Sequence, residues 1–187
     1  AGVWASICDR PDADVLRWGE ARRIADGIQM CKPTVLSDGR WAFPTAVWSI
    51  FPDKLSAEMR EIAFSNLSVT ADAGKTFTLI KGPDVPQRVF DEHMLIEHAD
   101  RHWTVYVRTS YGIGQSTTFD GGQTWSPGID SRLGGPNSRV AIRRLKSGNL
   151  LLVNNDTPQL MPGEKRGYID RKDMMAWIST DDGQSWQ

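Results

Sequence analysis

Apolar and polar positions along this chain fall into short runs of strand length, and three stretches share one plan. Residues 32–45 (KPTVLSDGRWAFPT), 92–109 (EHMLIEHADRHWTVYVRT) and 138–155 (SRVAIRRLKSGNLLLVNN) each hold a β-rich run, a polar break and a second β-rich run. The breaks fall at Asp38-Gly39, Ala99-Asp100 and Ser147-Gly148. Run, tight turn and run predict a β-hairpin each time. A third run comes later in the unit, as in IAFSNLSVT at 62–70 and DMMAWIST at 173–180, and a fourth follows.

A short frame sits after the third run. Thr70, Asp72, Gly74, Thr76 and Phe77 recur as Thr118, Asp120, Gly122, Thr124 and Trp125, and again as Ser179, Asp181, Gly183, Ser185 and Trp186. Such a frame suits a tight turn. The carboxylate accepts backbone N–H bonds, the glycine supplies a positive φ, the hydroxyl satisfies a further turn group, and the aromatic ring folds back between layers. Asp72, Asp120 and Asp181 are therefore read as structural, with Trp125 and Trp186 as anchors, because the turn takes up the polar capacity of each carboxylate. A degraded fourth copy at the start closes on Trp18. The aromatics are then 59, 48 and 61 residues apart (18 to 77, 77 to 125, 125 to 186), a period that marks a repeat architecture. Four short antiparallel strands per unit, repeated, read as propeller blades.

Composition narrows the partners. The 187 residues can bury a sizeable core and suggest one domain, 1–187. Net charge is −1 with both signs mixed along the chain, so nothing argues for nucleic acid. No apolar run approaches the ~20 residues that span a bilayer. No charged, apolar, small-residue stretch of the secretory-leader type is read in this segment, and a start at Ala1 rather than Met leaves room for a leader already removed. Two cysteines make neither a disulfide framework nor a metal motif, and no cofactor is expected.

In a propeller the innermost strands converge on the central axis. Aligning the three hairpins brings Cys31 and Lys32, Glu92 and His93, and Ser138 and Arg139 to that position. His98 and His102 flank a hairpin turn and are expected on the surface, far from the axis.

The turn frame resembles the Asp-box of the bacterial neuraminidase repeat, and nearly the whole chain resembles part of a sialidase-type β-propeller. That resemblance implies an all-β fold, usually of six blades. About three blades are expected here, as a fragment, a truncated relative or one half of an assembly that self-association completes. It also implies a glycoside hydrolase acting on a terminal acidic or modified sugar, outside the cytoplasm or in the periplasm. Glu92 in DEHMLIE and Arg108 in YVRTSYG match the family's Glu and following Arg, and Arg171 in DRKDMMAWISTDDG has a place comparable to a further Arg. The planar forks of guanidinium groups suit a sugar carboxylate. The resemblance casts Glu92 as the base that activates a tyrosine nucleophile.

Departures from the family pattern are equally plain. Cys31 in MCKP stands where the family's first arginine belongs, with Lys32 beside it. Asp53 in IFPDKL is an approximate counterpart of the acid catalyst. Neither Tyr111 nor Tyr168 holds the nucleophile's place, which would fall beyond Gln187. Two other readings stay open. Some propeller polysaccharide lyases combine His, Tyr and Arg at a uronate, which would use His93, Tyr111 and Arg108. A non-catalytic propeller would present Lys32, Arg108, Arg139 and Arg171 to an acidic glycan. Cys8 and Cys31 are expected to be free thiols, Asp120→Ala to destabilise the fold, and Glu92→Gln to leave stability nearly unchanged.

Overall fold

A computed structural model describes residues 2–157 and 171–187, so Tyr168 lies outside the described residues. The chain forms four antiparallel sheets in sequence order. The first pairs β1 (Gly2–Ala5) with β2 (Arg22–Asp26). The second runs in order through β3 (Thr34–Val35), β4 (Trp41–Ala46), β5 (Ser65–Thr70) and β6 (Thr78–Ile80). The third follows the same plan with β7 (Arg88–Glu97), β8 (Trp103–Thr109), β9 (Gly112–Thr118) and β10 (Ile129–Asp130). The fourth holds β11 (Ala141–Arg144), β12 (Leu150–Asn155) and β13 (Met174–Ser179). Neighbours in sequence are neighbours in each sheet, the meander expected of a propeller blade.

The sheets stack face to face, and strand alternation sorts side chains between two cores. Leu95, Trp103, Val105 and Val107 of the third sheet pack with Leu36, Ala42, Leu67 and Val69 of the second. Met94, Ile96 and Tyr106, the intervening residues, pack instead with Val140, Ile142, Leu150 and Leu152 of the fourth. With both faces covered, β8 is buried along its whole length. Each fully buried Leu, Ile or Val contributes about 1.5–3 kcal/mol, so these two layers are the main cohesive force between blades.

The turn frames close the sheets as the sequence implies. In the second, Asp120 Oδ1 accepts from Thr124 N at 2.9 Å and from Thr118 Oγ1 at 2.8 Å, and Thr118 Oγ1 accepts from Gly122 N at 2.9 Å. Gly122 has φ +92°, where a Cβ would be strained and would also strike Ile80 Cγ2 at 2.5 Å. The same bonds recur around Asp72 and Asp181. Trp125 packs back onto the core shared with the second sheet and donates from Nε1 to Lys81 O at 3.0 Å, while Trp186 packs onto the core shared by the third and fourth.

Two expectations on the histidines and cysteines can be compared directly. Cys8 and Cys31 are free thiols, as expected. His98 is not a surface residue: it is buried, 3.3 Å from Asp182 through Nδ1 and hydrogen-bonded to Thr104 Oγ1 through Nε2. The turn it flanks docks against the third turn frame of the neighbouring blade, where Asp182 also accepts from Ala99 N at 2.9 Å and pairs with Arg144. A hairpin tip far from the axis is still covered when the next blade leans on it.

No helix among the described residues is long and apolar enough to cross a membrane. Among the described residues the helical content is one turn of 3-10 helix (Pro52–Lys54) and one short α-helix, α1 (Ala57–Glu61), both in the connection from β4 to β5.

Candidate functional site

The registers show where along the blades each candidate residue lies. Trp103 pairs with Glu97 and Thr118 at the end bearing the β7–β8 turn and the Asp120 frame. Thr109 pairs with Gly112 at the opposite end, where Glu92, Arg108 and the start of β11 lie. The seven residues of β8 separate the two ends by about 20 Å at ~3.4 Å per residue. The turn-frame carboxylates are thus remote from Glu92.

The three innermost strands, β3, β7 and β11, line one cleft of about 680 Å³ that runs along them from Cys31 and Arg139 to Glu97 and Arg144. Cys31, Lys32 and Arg139 sit at its walls. Lys32 and Arg139 are exposed and Cys31 is buried. Arg139 Nη1 reaches across to Met30 O at 2.8 Å, tying the fourth sheet to the segment before β3. Glu92 and Arg139 both act electrostatically on the Cys31 thiol, which burial pushes up to about 11 despite the nearby guanidinium. A neutral thiol at this position is a weak nucleophile.

Glu92 is delivered by a distortion in β7. The register between Arg88 and His93 shifts, and Phe90 and Asp91 adopt φ of +59° and +44°. Such conformations cost on the order of 1–3 kcal/mol each and persist only where surrounding contacts impose them. Those contacts are present. Asp91, 1 % exposed, accepts from Ser65 Oγ at 3.0 Å and lies 2.7 Å from Arg88 Nε. Burial raises the Asp91 carboxyl above its usual range, opposed by Arg88. Phe90 packs edge-on against Trp48 at 5.1 Å and under the Arg108 guanidinium at 4.8 Å.

Beyond the distortion, alternation places consecutive residues on opposite faces. Glu92 shares its face with Met94 and Ile96 and meets Arg108 Nη1 at 2.7 Å. Arg108 Nε donates to Asn137 Oδ1 at 2.8 Å, and Arg171 Nη2 donates to Asn137 O at 2.9 Å. Glu92, Arg108 and Asn137 are all buried, with Arg171 exposed above them. His93 faces the other way. Its ring is 1 % exposed, bonded through Nδ1 to Asp91 O at 2.8 Å and through Nε2 to Asn66 O at 2.7 Å. Burial holds the imidazole below its ordinary value, against two carbonyls that favour the proton. His93 therefore clamps β7 to β5 rather than facing the cleft.

Asp53 lies exposed in the 3-10 turn of the β4–β5 connection, at the same end of the blades as Glu92. Phe51, its near neighbour, packs on Trp48 and so joins this connection to Phe90. Tyr111 occupies the β8–β9 turn, and its phenol lies within 2.7 Å of the place a Cβ on Gly114 would take. Tyr106 is buried in the core. Neither described tyrosine lines the cleft. Among the described residues no group of three or more His, Cys, Asp and Glu side chains is placed to hold a metal.

Sequence reasoning passed over Asn137, the residue that joins Arg108 to Arg171. The signal was its place immediately before Ser138-Arg139, in the column already aligned with Glu92, after Gly134-Gly135-Pro136. That glycine pair admits the β8–β9 turn closely: a Cβ on Gly112 would lie 2.8 Å from both Gly134 O and Gly135 O.

The chain matches the family described as BNR repeat-like domain over residues 13–187. No curated protein matches it. A leech intramolecular trans-sialidase solved with 2,7-anhydro-Neu5Ac superposes with a TM-score of 0.57 at 16% identity, covering 96% of this chain and 27% of that one. The intramolecular trans-sialidase of Ruminococcus gnavus, solved with oseltamivir carboxylate, gives 0.54 at 16% identity, with 96% and 37% covered. A Trypanosoma rangeli sialidase gives 0.58 at 14% identity, with 98% and 30% covered. The chain thus spans about a quarter to two-fifths of the length of such structures, and at these identities the likeness is one of fold. Three consecutive antiparallel blades, a turn frame at one end of each, and a match over nearly the whole chain together place this protein in the BNR repeat-like family, with a partial sialidase-type β-propeller fold.

Proposed function

We propose that this chain supplies part of the active face of a glycoside hydrolase that removes a terminal acidic or modified sugar from a glycan. The observation that carries the reading is the convergence of Glu92, Arg108, Asn137 and Arg171 at one end of the blades, beside a cleft bearing Lys32 and Arg139. Glu92 is the general base. Its ion pair with Arg108 fixes the carboxylate in direction, the preparation a base needs before it takes a proton. Asp53 is the acid that protonates the leaving oxygen, carried on a connection that rises at the same end. Of the described tyrosines, Tyr106 is in the core and Tyr111 is away from the cleft, so neither is the one that Glu92 would activate.

A second reading, a glycan-binding propeller without catalysis, is favoured by one specific observation: the Glu92 carboxylate is already engaged by a buried guanidinium. The lyase reading finds no such support, because His93 is enclosed and both of its ring nitrogens are bonded. Carbohydrate is the partner in either reading, with neither a nucleic acid nor a membrane required. The work is done outside the cytoplasm or in the periplasm, and association with further blades completes the propeller.

The test is release of a chromogenic aglycone from sialosides and uronides by the full-length protein, run beside Glu92→Gln. Hydrolysis of an acidic glycoside that falls at least a hundredfold in the variant, the scale of one general base, supports the enzyme. Retained binding of the acidic sugar with no turnover by either protein supports the binding module. Equal turnover of neutral and acidic glycosides overturns the proposed substrate class.

A further inference from the structure

The connection from β4 to β5 leaves the second sheet after Ala46 and returns at Ser65, with Asp53 on the way. Val47 N donates to Phe64 O at 3.3 Å and closes its base. Both roots of this connection rest on the distorted start of β7. At the first root, Trp48 packs edge-on against Phe90 at 5.1 Å and tilted against Phe51 at 6.2 Å. At the second, Arg88 Nη2 donates to Ala63 O at 2.7 Å, and the guanidinium lies 4.7 Å from the centre of the Phe64 ring.

Asp91 joins the two roots. Its carboxylate lies 2.7 Å from Arg88 Nε and accepts from Ser65 Oγ at 3.0 Å, where β5 begins. Burial is the chief influence on this carboxyl and raises it, and the Ser49 N–H, next to Trp48, is among the groups that oppose burial. One buried carboxylate thus holds to both ends of the connection. Glu92 follows Asp91 directly and turns instead to Arg108. A shift of Asp91 is therefore a shift of Glu92 as well.

Resting on the proposed roles of Glu92 as base and Asp53 as acid, we propose that Asp91 and Arg88 are positioning residues that lock the Asp53-bearing connection to the strand of Glu92. Acid and base then keep one placement relative to each other although they come from two blades. A misplacement of about 1 Å in such a pair costs on the order of a hundredfold in rate. The positive φ of Phe90 and Asp91 is what brings Asp91 to the connection and Glu92 to Arg108 from adjacent positions.

Hydrogen exchange read by mass spectrometry on the full chain tests the link without any need for turnover. Asp91→Asn keeps the shape and removes the charge. Exchange should then rise roughly fivefold or more in both 47–64 and 88–93, with the Asp120 turn at 118–125 within about twofold of wild type. Trp48→Leu, made on the connection, should raise exchange in 88–93 in turn, because coupling between two parts is reciprocal. That second variant decides the matter if Asp91→Asn does not fold. A rise confined to the substituted side, or one shared equally by 118–125, overturns the link and leaves the proposed hydrolysis standing. On a chromogenic acidic glycoside, Asp91→Asn should displace both limbs of the pH profile of kcat/KM by about half a unit or more, since acid and base are both disturbed. A role in folding alone would scale the profile and leave its limbs in place, and that result also overturns the assignment. No turnover by the wild type, with reciprocal exchange intact, overturns the roles of Glu92 and Asp53 and leaves the link itself supported.

Discussion

Arg108 Nη1 donates to Glu92 Oε2 at 2.7 Å, and both side chains are more than nine-tenths buried. The pair joins the second strand of a blade to its first, at the mouth of the cleft. It makes Glu92 a structural member of the fold as well as a candidate base.

Glu92→Gln should therefore destabilise the protein, contrary to the expectation of near-neutrality. The amide leaves Arg108 as a buried cation without its counter-charge, a change that costs about 3–5 kcal/mol when one partner of such a pair is removed. Urea unfolding of wild type and Glu92→Gln measures it. A midpoint within error of wild type would show that Arg108 has found another counter-charge.

The turn-frame carboxylates should make the fold sensitive to acid. Asp181 is held down at about 2 by the Ser185 hydroxyl, the Ser185 N–H and the Ser179 hydroxyl. Asp120 and Asp72 are held lower still, by the hydroxyls of Thr124 and Thr76 first and then by the backbone N–H groups. Their folded values lie below the unfolded value near 3.9. Their contribution is thus complete above pH ~4 and is lost as the pH falls through the folded values. Melting temperature should fall steeply from pH 4 to pH 2, and Asp120→Asn should melt lower at pH 7 with a shallower acid slope. An unchanged slope would remove these turns from the acid response.

The two thiols should differ in reactivity. Cys31 is buried and pushed up to about 11, whereas Cys8 is half-buried. At pH 8 an aromatic disulfide reagent should consume one thiol promptly and the second only on unfolding. Prompt reaction of both would mean that the wall of the cleft opens readily.

Asp182→Ala should loosen one blade from the next. The side chain accepts from Ala99 N and faces Arg144 and His98, so its removal takes away a contact set that spans two sheets. Arg144 is about a third exposed, so solvent weakens the pair, and the loss should be about 1 kcal/mol. Hydrogen exchange at Ala99 and its neighbours should rise before global stability does. Protection unchanged in the 98–102 turn would contradict the contact.

The blades were legible in the sequence because their determinants are local. Thr118, Asp120, Gly122 and Thr124 bond to one another within seven residues, so their spacing records the turn directly. The site was only partly legible, since its geometry depends on residues distant in sequence. Glu92 and Arg108 could be placed on adjacent strands, but the bond from Arg108 to Asn137 spans 29 positions and needs two neighbouring blades in place. The positive φ of Phe90 and Asp91 leaves no compositional trace, as neither is a glycine. His98 was misplaced for a related reason: a hairpin tip looks exposed until the next blade covers it.

The distance between the closing turns and the Glu92 end has a bearing on how such a protein can change. A segment lengthened between β4 and β5, where α1 already sits, or between β8 and β9, alters the mouth of the cleft. The Asp72, Asp120 and Asp181 turns stay as they are, about one strand length away. Fastening and recognition are thereby under separate selection. A lineage carrying these blades can trade one ligand for another by exchanging rim loops, and its aspartate turns will persist through changes that erase every trace of the original one.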